Sequence, residues 1–158
     1  MIRAILGVAA AAWLLTAGPV DAGDLRQFAD RLVGTRPLTL QWLDSQNRGN
    51  RGTLTISRQD GRLIASGYQE DQYRGEHNWM RLNGVLTVVN ERELELEGAI
   101  TTRIGYINGG IEHERTGRFR FKAWGARRYW RLQNNRTQPD NGFEVTDYID
   151  IHFAGKNR

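Results

Sequence analysis

The sequence predicts a small all-β domain, an antiparallel barrel of about eight strands that follows a short N-terminal helix. Three observations predict it. Apolar and polar residues alternate with a period of two from Leu38 to Phe153, as in strands with one buried face. Asp60-Gly61 and Asn108-Gly109 separate such runs and favour hairpin turns. No cysteine occurs in the 158 residues, so burial and strand pairing must hold the fold without disulfides.

The first 22 residues have the order of a cleavable secretory signal. Arg3 provides a positive head, residues 4–16 are an apolar run, and residues 20–22 are a small-x-small end. A membrane anchor or a buried helix is the alternative, but a membrane span needs about 20 apolar residues. We therefore expect a mature chain of residues 23–158 without a transmembrane segment, exported to the periplasm or the cell exterior.

Residues 23–36 are predicted to form a short helix and a linker. Asp24 is the expected N-cap, Gly34 ends the helix, and Pro37 prevents its continuation. The apolar residues recur at helical spacing on one face: Leu25, Phe28, Ala29, Leu32 and Val33. The helix should lie across one end of the β domain, which spans residues 37–158.

Three polar segments interrupt the alternation and are expected to be exposed loops, where variable binding residues commonly lie. They are Gln46–Arg51, Glu70–Asn78 and Asn134–Gly142. A further pair, Asn83-Gly84, falls inside an alternating run and is either a tight turn or a bulge.

The hairpin around residues 93–122 is the most regular segment. If Asn108 and Gly109 are its two turn residues, Glu97 lies opposite Arg120; a shift by one position keeps acids opposite bases. In both registers Phe119 and Phe121 lie on the inner face. The last strand, residues 146–153, likewise alternates between apolar and polar side chains.

A meander of this kind favours closure into a barrel, which leaves no unpaired edge strand; a two-layer β-sandwich is the alternative. In strand number and size the domain resembles lipocalin- and avidin-type barrels. Lipocalins carry Gly-x-Trp near the first strand, whereas Trp42 lies in Leu40-Gln41-Trp42. The resemblance therefore extends to size and strand number alone.

One candidate site combines aromatic and arginine side chains between residues 124 and 131. Such residues stack on sugars or bases and bind anions. In the alternative interpretation Trp130 is buried, and part of the set forms an outer cross-strand row that faces Tyr148 and Asp150. The candidate ligand-binding residues here are Trp124, Arg128, Tyr129 and Arg131.

A second candidate site lies on the inner face of the main hairpin. Thr102, His113 and Arg115 share the face of Phe119 and Phe121. Because burial of an unpaired charge is costly, these polar residues should lie at the barrel mouth. There they either contact a ligand or form a solvated or acid-paired rim.

Several classes of function are disfavoured. The three histidines lack the spacing of a metal or acid–base motif, so no catalytic residue, metal or cofactor is predicted. All but Lys122 and Lys156 of the 22 basic residues are arginine, but 18 acidic residues reduce the net charge to +4. No nucleic-acid-binding motif occurs, which disfavours a nucleic-acid partner.

The sequence therefore favours an exported, non-enzymatic binding or interaction protein for an envelope component, which is a glycan, a lipid or another protein. Two alternatives stay open. One is an inhibitor of an extracellular or cell-wall hydrolase, which requires a protruding loop. The other is an enzyme without a recognisable motif, which requires converging carboxylates or histidines.

Overall fold

The computed structural model describes residues 21–44, 51–138 and 143–155. Nearly all of the predicted secretory signal lies outside these ranges. Most of the predicted loop Gln46–Arg51 and the last four residues of the predicted loop Asn134–Gly142 also lie outside them.

Within the described ranges the chain forms three helices and ten strands. The helices are α1 Ala22–Leu32, α2 Gln41–Asp44 and α3 Gly105–Asn108. The strands are β1 Gly34–Leu40, β2 Gly52–Gln59, β3 Arg62–Tyr73, β4 Glu76–Asn90, β5 Glu93–Arg103, β6 His113–Lys122, β7 Tyr129–Leu132, β8 Arg136–Thr137, β9 Val145–Thr146 and β10 Ile149–His152.

Eight of these strands form a closed antiparallel barrel. Their order around the barrel is β1-β10-β7-β6-β5-β4-β3-β2, and the short β8 and β9 pair separately. Closure joins β1 to β10, with Leu38 opposite Ile151. The predicted barrel is confirmed, and the alternative sandwich is not observed.

The barrel interior is filled by side chains at alternate positions of the strands. Phe121 is fully buried, and Phe119 faces Leu96 on the same inner surface. Other fully buried side chains are Leu38, Leu40, Leu54, Ile56, Met80, Leu82, Leu94 and Ile100. The predicted inner faces of the main hairpin are therefore confirmed.

The strands of that hairpin pair in the register that is shifted by one turn position from an Asn108-Gly109 turn. Glu97 lies opposite Arg118 and Glu93 opposite Lys122, with ion-pair distances of 3.7 and 3.3 Å. Asn108-Gly109 is not a two-residue turn, so this expectation is wrong. The Asn108 side chain accepts a hydrogen bond from the Ile104 backbone N–H at 2.9 Å and closes the helical turn α3.

The prediction of an exposed loop at Glu70–Asn78 is also wrong. β3 continues to Tyr73, and β4 begins at Glu76 after a turn at Arg74-Gly75. The pair Asn83-Gly84 is neither a turn nor a bulge, because β4 continues through it. Gly84 faces Gly98 across strands β4 and β5, and a Cβ on Gly98 would collide with the Asn83 carbonyl oxygen.

Helix α1 covers one end of the barrel. Its N-cap is Asp21, which accepts a hydrogen bond from the Gly23 N–H at 3.1 Å, and not the expected Asp24. Its apolar face packs inward through Leu32, Phe28 and Ala29. We call this the helix-covered end, and the opposite end, where Thr102 and Arg115 lie, the polar end.

Candidate functional site

The structure places the predicted site residues in three separate regions. The polar end contains Thr102, His113 and Arg115; the outer face of β7 carries Tyr129 and Arg131; the connection before β7, near the helix-covered end, contains Trp124 and Arg128.

At the polar end Arg115 is paired with a buried acid. Its Nη2 lies 3.2 Å from Oδ2 of Asp147, and its Nη1 donates to the Asn134 carbonyl oxygen at 3.0 Å. The indole N–H of Trp42 donates to Oδ1 of Asp147 at 2.9 Å. The side chains of Arg115 and Asp147 are 15% and 4% exposed, so the pair lies inside the barrel mouth.

Burial is the main electrostatic influence on this pair. It raises the pKa of Asp147, although the Trp42 hydrogen bond and the nearby Arg115 and His113 act in the opposite direction. Burial also lowers the pKa of Arg115, against the attraction of Asp147. Burial therefore opposes the charged form of both groups, and their pairing acts against this effect.

Sequence reasoning missed other buried polar residues at this end. Asn78 donates to Oδ1 of Asp71 at 2.9 Å and accepts from the Gly105 N–H at 2.7 Å. Gln69 accepts from the Leu40 N–H at 2.7 Å. Thr137, also missed, places its hydroxyl oxygen 2.6 Å from Nε2 of the predicted site residue His113. Most of this polar end is thus a network in which the chain bonds to itself.

The outer face of β7 carries a cross-strand row of aromatic and charged residues. Nε and Nη2 of Arg131 donate to the two carboxylate oxygens of Asp150 at 2.7 and 2.8 Å. This guanidinium also lies 5.1 Å from the ring centre of Tyr129 and 4.6 Å from that of Tyr148. The hydrogen bonds that Arg131 donates to Asp150 raise the pKa of Arg131. A ligand role for this row stays a prediction.

The helix-covered end contains a pocket of about 290 Å³ between α1, β7 and the end of β10. Its aromatic side chains contact one another: the rings of Trp130 and Phe153 are 4.2 Å apart, and those of Phe28 and Trp130 are 6.3 Å apart. Its charged side chains are Arg31, Arg36, Arg92, Arg128 and Glu91. We call this site the helix-side pocket.

The helix-side pocket is positively charged, because four guanidinium groups face one carboxylate. Arg31 is paired with Glu91 at 3.3 Å, and Arg92 donates to the Gly125 carbonyl oxygen. The guanidinium carbon of Arg128 lies 5.9 Å from the Phe153 ring centre. Arg128 therefore contributes both charge and a stacking surface to the pocket.

Two larger grooves continue from the helix-side pocket around α1. One, of about 430 Å³, shares Arg31, Glu91 and Arg92 with it. The other, of about 730 Å³, lies between Leu25 and Leu63 and is lined by further basic residues: Arg26, Arg58 and Arg62. Trp124 lines none of these three cavities; it is 56% exposed, and the Lys122 ammonium lies 5.6 Å from its ring centre.

A model of the PM1083 family matches residues 20–153 of this chain. The chain belongs to the PM1083 family. It is similar to a Pasteurella multocida (strain Pm70) relative, "Uncharacterized protein PM1083", at 33% identity over 129 residues, which are 82% of this chain and 78% of that relative. No solved structure matches this chain.

In this PM1083-family member each described histidine contacts a polar side chain. No group of three potential metal ligands occurs among the described residues. His77 lies 2.6 Å from Glu70, and His152 lies 2.9 Å from the Thr39 hydroxyl oxygen. In the described ranges, no helix is both long and apolar enough to cross a membrane.

Proposed function

We propose that this PM1083-family protein is an exported, non-enzymatic binding protein that holds an apolar or aromatic group of an envelope component in the helix-side pocket. The observation that carries the proposal is the lining of this pocket, in which three aromatic rings lie beside four arginines. Its volume of about 290 Å³ is just below the range for small-molecule sites, ~300–1,000 Å³, and suits one ring or short apolar chain.

The chemistry of the two ends supports this choice of site. At the polar end Arg115, Asp147 and Asn78 are bonded to groups of the chain itself. The helix-side pocket is lined by the half-buried Phe28 and Phe153 and by Trp130, which is 3% exposed. Aromatic faces bind apolar groups, sugars and cations without requiring many directed hydrogen bonds.

Export is the part of the proposal that rests on the N-terminal signal. The first residue of the mature protein, recovered from the exported fraction and sequenced by Edman degradation, is expected to be Gly23. Ala22→Phe serves as the control, because it removes the small residue at the cleavage site and should leave the signal attached. An exported chain that still begins with Met1 would contradict the proposal.

Binding is expected to be detectable with a neutral fluorescent probe, N-phenyl-1-naphthylamine, whose emission rises in apolar surroundings. The mature protein should bind it saturably at one site. Phe153→Ala should weaken binding about tenfold, since an aromatic contact and its buried area contribute on the order of 1–2 kcal/mol.

The matched control for this measurement is Tyr148→Ala, which removes an aromatic side chain from the outer row on β7 and should leave the affinity unchanged. Two results would count against the helix-side pocket as the binding site. One is a parent protein that does not bind the probe, and the other is an equal loss of affinity in both variants.

A further inference from the structure

We propose that the component held in the helix-side pocket carries an anionic group, a carboxylate or a phosphate, and that Arg36 is its main receptor. This inference rests on the proposed function and adds the chemical class of the ligand. It depends on the surroundings of Arg36, which differ from those of the other inward-facing arginine, Arg115.

Arg36 enters the barrel from β1, where it lies opposite Leu54. It is only 6% exposed and lines the helix-side pocket beneath the C-terminal end of α1. Its Nη2 donates to the Leu32 carbonyl oxygen at 2.8 Å, and its guanidinium lies 5.9 Å from the Trp130 ring centre. The side chain is therefore held in place by the helix end and by an aromatic face.

The charge of Arg36 lacks a counter-ion in the part of the chain that the structure describes. No described carboxylate lies within 4.0 Å of it, and its Nε–H is buried without an acceptor. Buried charges in proteins are usually paired. Arg115 follows this rule, because Asp147 lies 3.2 Å away. The contrast indicates that no residue in the described ranges supplies the anion of Arg36, as expected if a bound ligand supplies it.

A purely structural role for Arg36 would use only some of the N–H donors of its guanidinium. Capping the last turn of α1 requires one donor, and Nη2 already supplies it to Leu32. A guanidinium offers five N–H groups in a planar fork that matches carboxylate and phosphate oxygens. Among the described residues the Nε–H of Arg36 has no acceptor, so this donor at least remains for a ligand that enters the pocket.

The neighbouring side chains favour an anion with an apolar body. Arg128 and Arg92 add positive charge to the same pocket, where Glu91 is already paired with Arg31. The apolar part of the ligand would contact the half-buried rings of Phe28 and Phe153. A single guanidinium–anion contact of this kind changes affinity by about tenfold or more, because hydrogen bonds to charged groups are stronger than neutral ones.

The test measures binding of three ten-carbon ligands to the mature protein by calorimetry: decanoate, decyl phosphate and the neutral decan-1-ol. One or both anions should bind at least tenfold more tightly than the alcohol. Arg36→Met should remove this advantage, so that the two anions and the alcohol bind with similar affinity. Arg118→Met, which removes an exposed arginine paired with Glu97, should retain the advantage.

Arg36→Lys provides a second variant if Arg36→Met does not fold, and it should lose most of the advantage because lysine lacks the planar fork. Preference for decanoate alone or for decyl phosphate alone would support the proposal and identify the anion. Equal affinities for anions and alcohol would overturn the role of Arg36 and leave the proposed function intact. Absence of naphthylamine binding together with tight anion binding would instead overturn the proposed apolar site.

Discussion

Replacing Phe121 by Asp is expected to leave the protein unfolded, and this is the largest effect of any single substitution considered. Phe121 is fully buried and faces Leu94 on one side and Leu132 on the other. Removal of a buried Phe side chain costs about 3–5 kcal/mol, and an unpaired buried carboxylate adds to this loss. The sum is comparable to the whole stability of a small domain, ~5–15 kcal/mol.

Circular dichroism and one-dimensional proton NMR measure this loss directly. The control is Arg120→Asp, which introduces the same charge at the adjacent, exposed position and should leave the fold intact. If the Phe121→Asp protein melts at the temperature of the parent, the assignment of inner and outer faces in β6 is wrong.

The second large effect is expected at the polar end, where Asp147→Ala should destabilise the protein by about 3–5 kcal/mol. The substitution leaves the guanidinium of Arg115 buried without its acid and the Trp42 indole N–H without its acceptor. Arg115→Met should cost a similar amount, because it leaves Asp147 as an unpaired buried carboxylate. Urea unfolding of each variant measures these free energies.

The double variant Arg115→Met/Asp147→Ala separates pairing from burial. It should recover much of the loss of either single variant, because it removes both buried charges and leaves neither without its partner. Losses that simply add in the double variant would contradict this account.

The pH dependence of stability provides an independent check on the same pair. Because burial raises the pKa of Asp147 above its ordinary value of 3.8, the folded state binds this proton more tightly than the unfolded state. Stability relative to Asp147→Asn should therefore fall as the pH rises from 3.8 to the folded-state pKa, and then level off.

The barrel was predictable from the sequence because its determinants are local. Alternation from Leu38 onward fixes which side of each strand is buried, and antiparallel closure then follows from hairpin order. The errors arose where tertiary contacts outweigh a local signal. Asn108 bonds to the Ile104 N–H instead of forming a hairpin turn, and Asp71 is buried because Asn78 bonds to it.

The candidate site was less predictable, because its residues are distant in sequence. Arg128 was singled out from the arginine and aromatic cluster around it, but Phe28, Arg36 and Phe153 join it only when the barrel closes and α1 covers its end. The sequence pattern assigns Arg36 to the linker of residues 23–36. Extending the alternation of Leu38 and Leu40 back by two residues would have placed it on the inner face.

The most direct test of the central claim is a chemical-shift map of the mature protein titrated with N-phenyl-1-naphthylamine. If the helix-side pocket is the binding site, the backbone amide signals of Phe28, Arg36, Trp130 and Phe153 should shift with ligand concentration. Those of Thr102, His113 and Arg115 should remain in place. Shifts confined to the polar end would contradict the claim and move the site to the opposite mouth of the barrel.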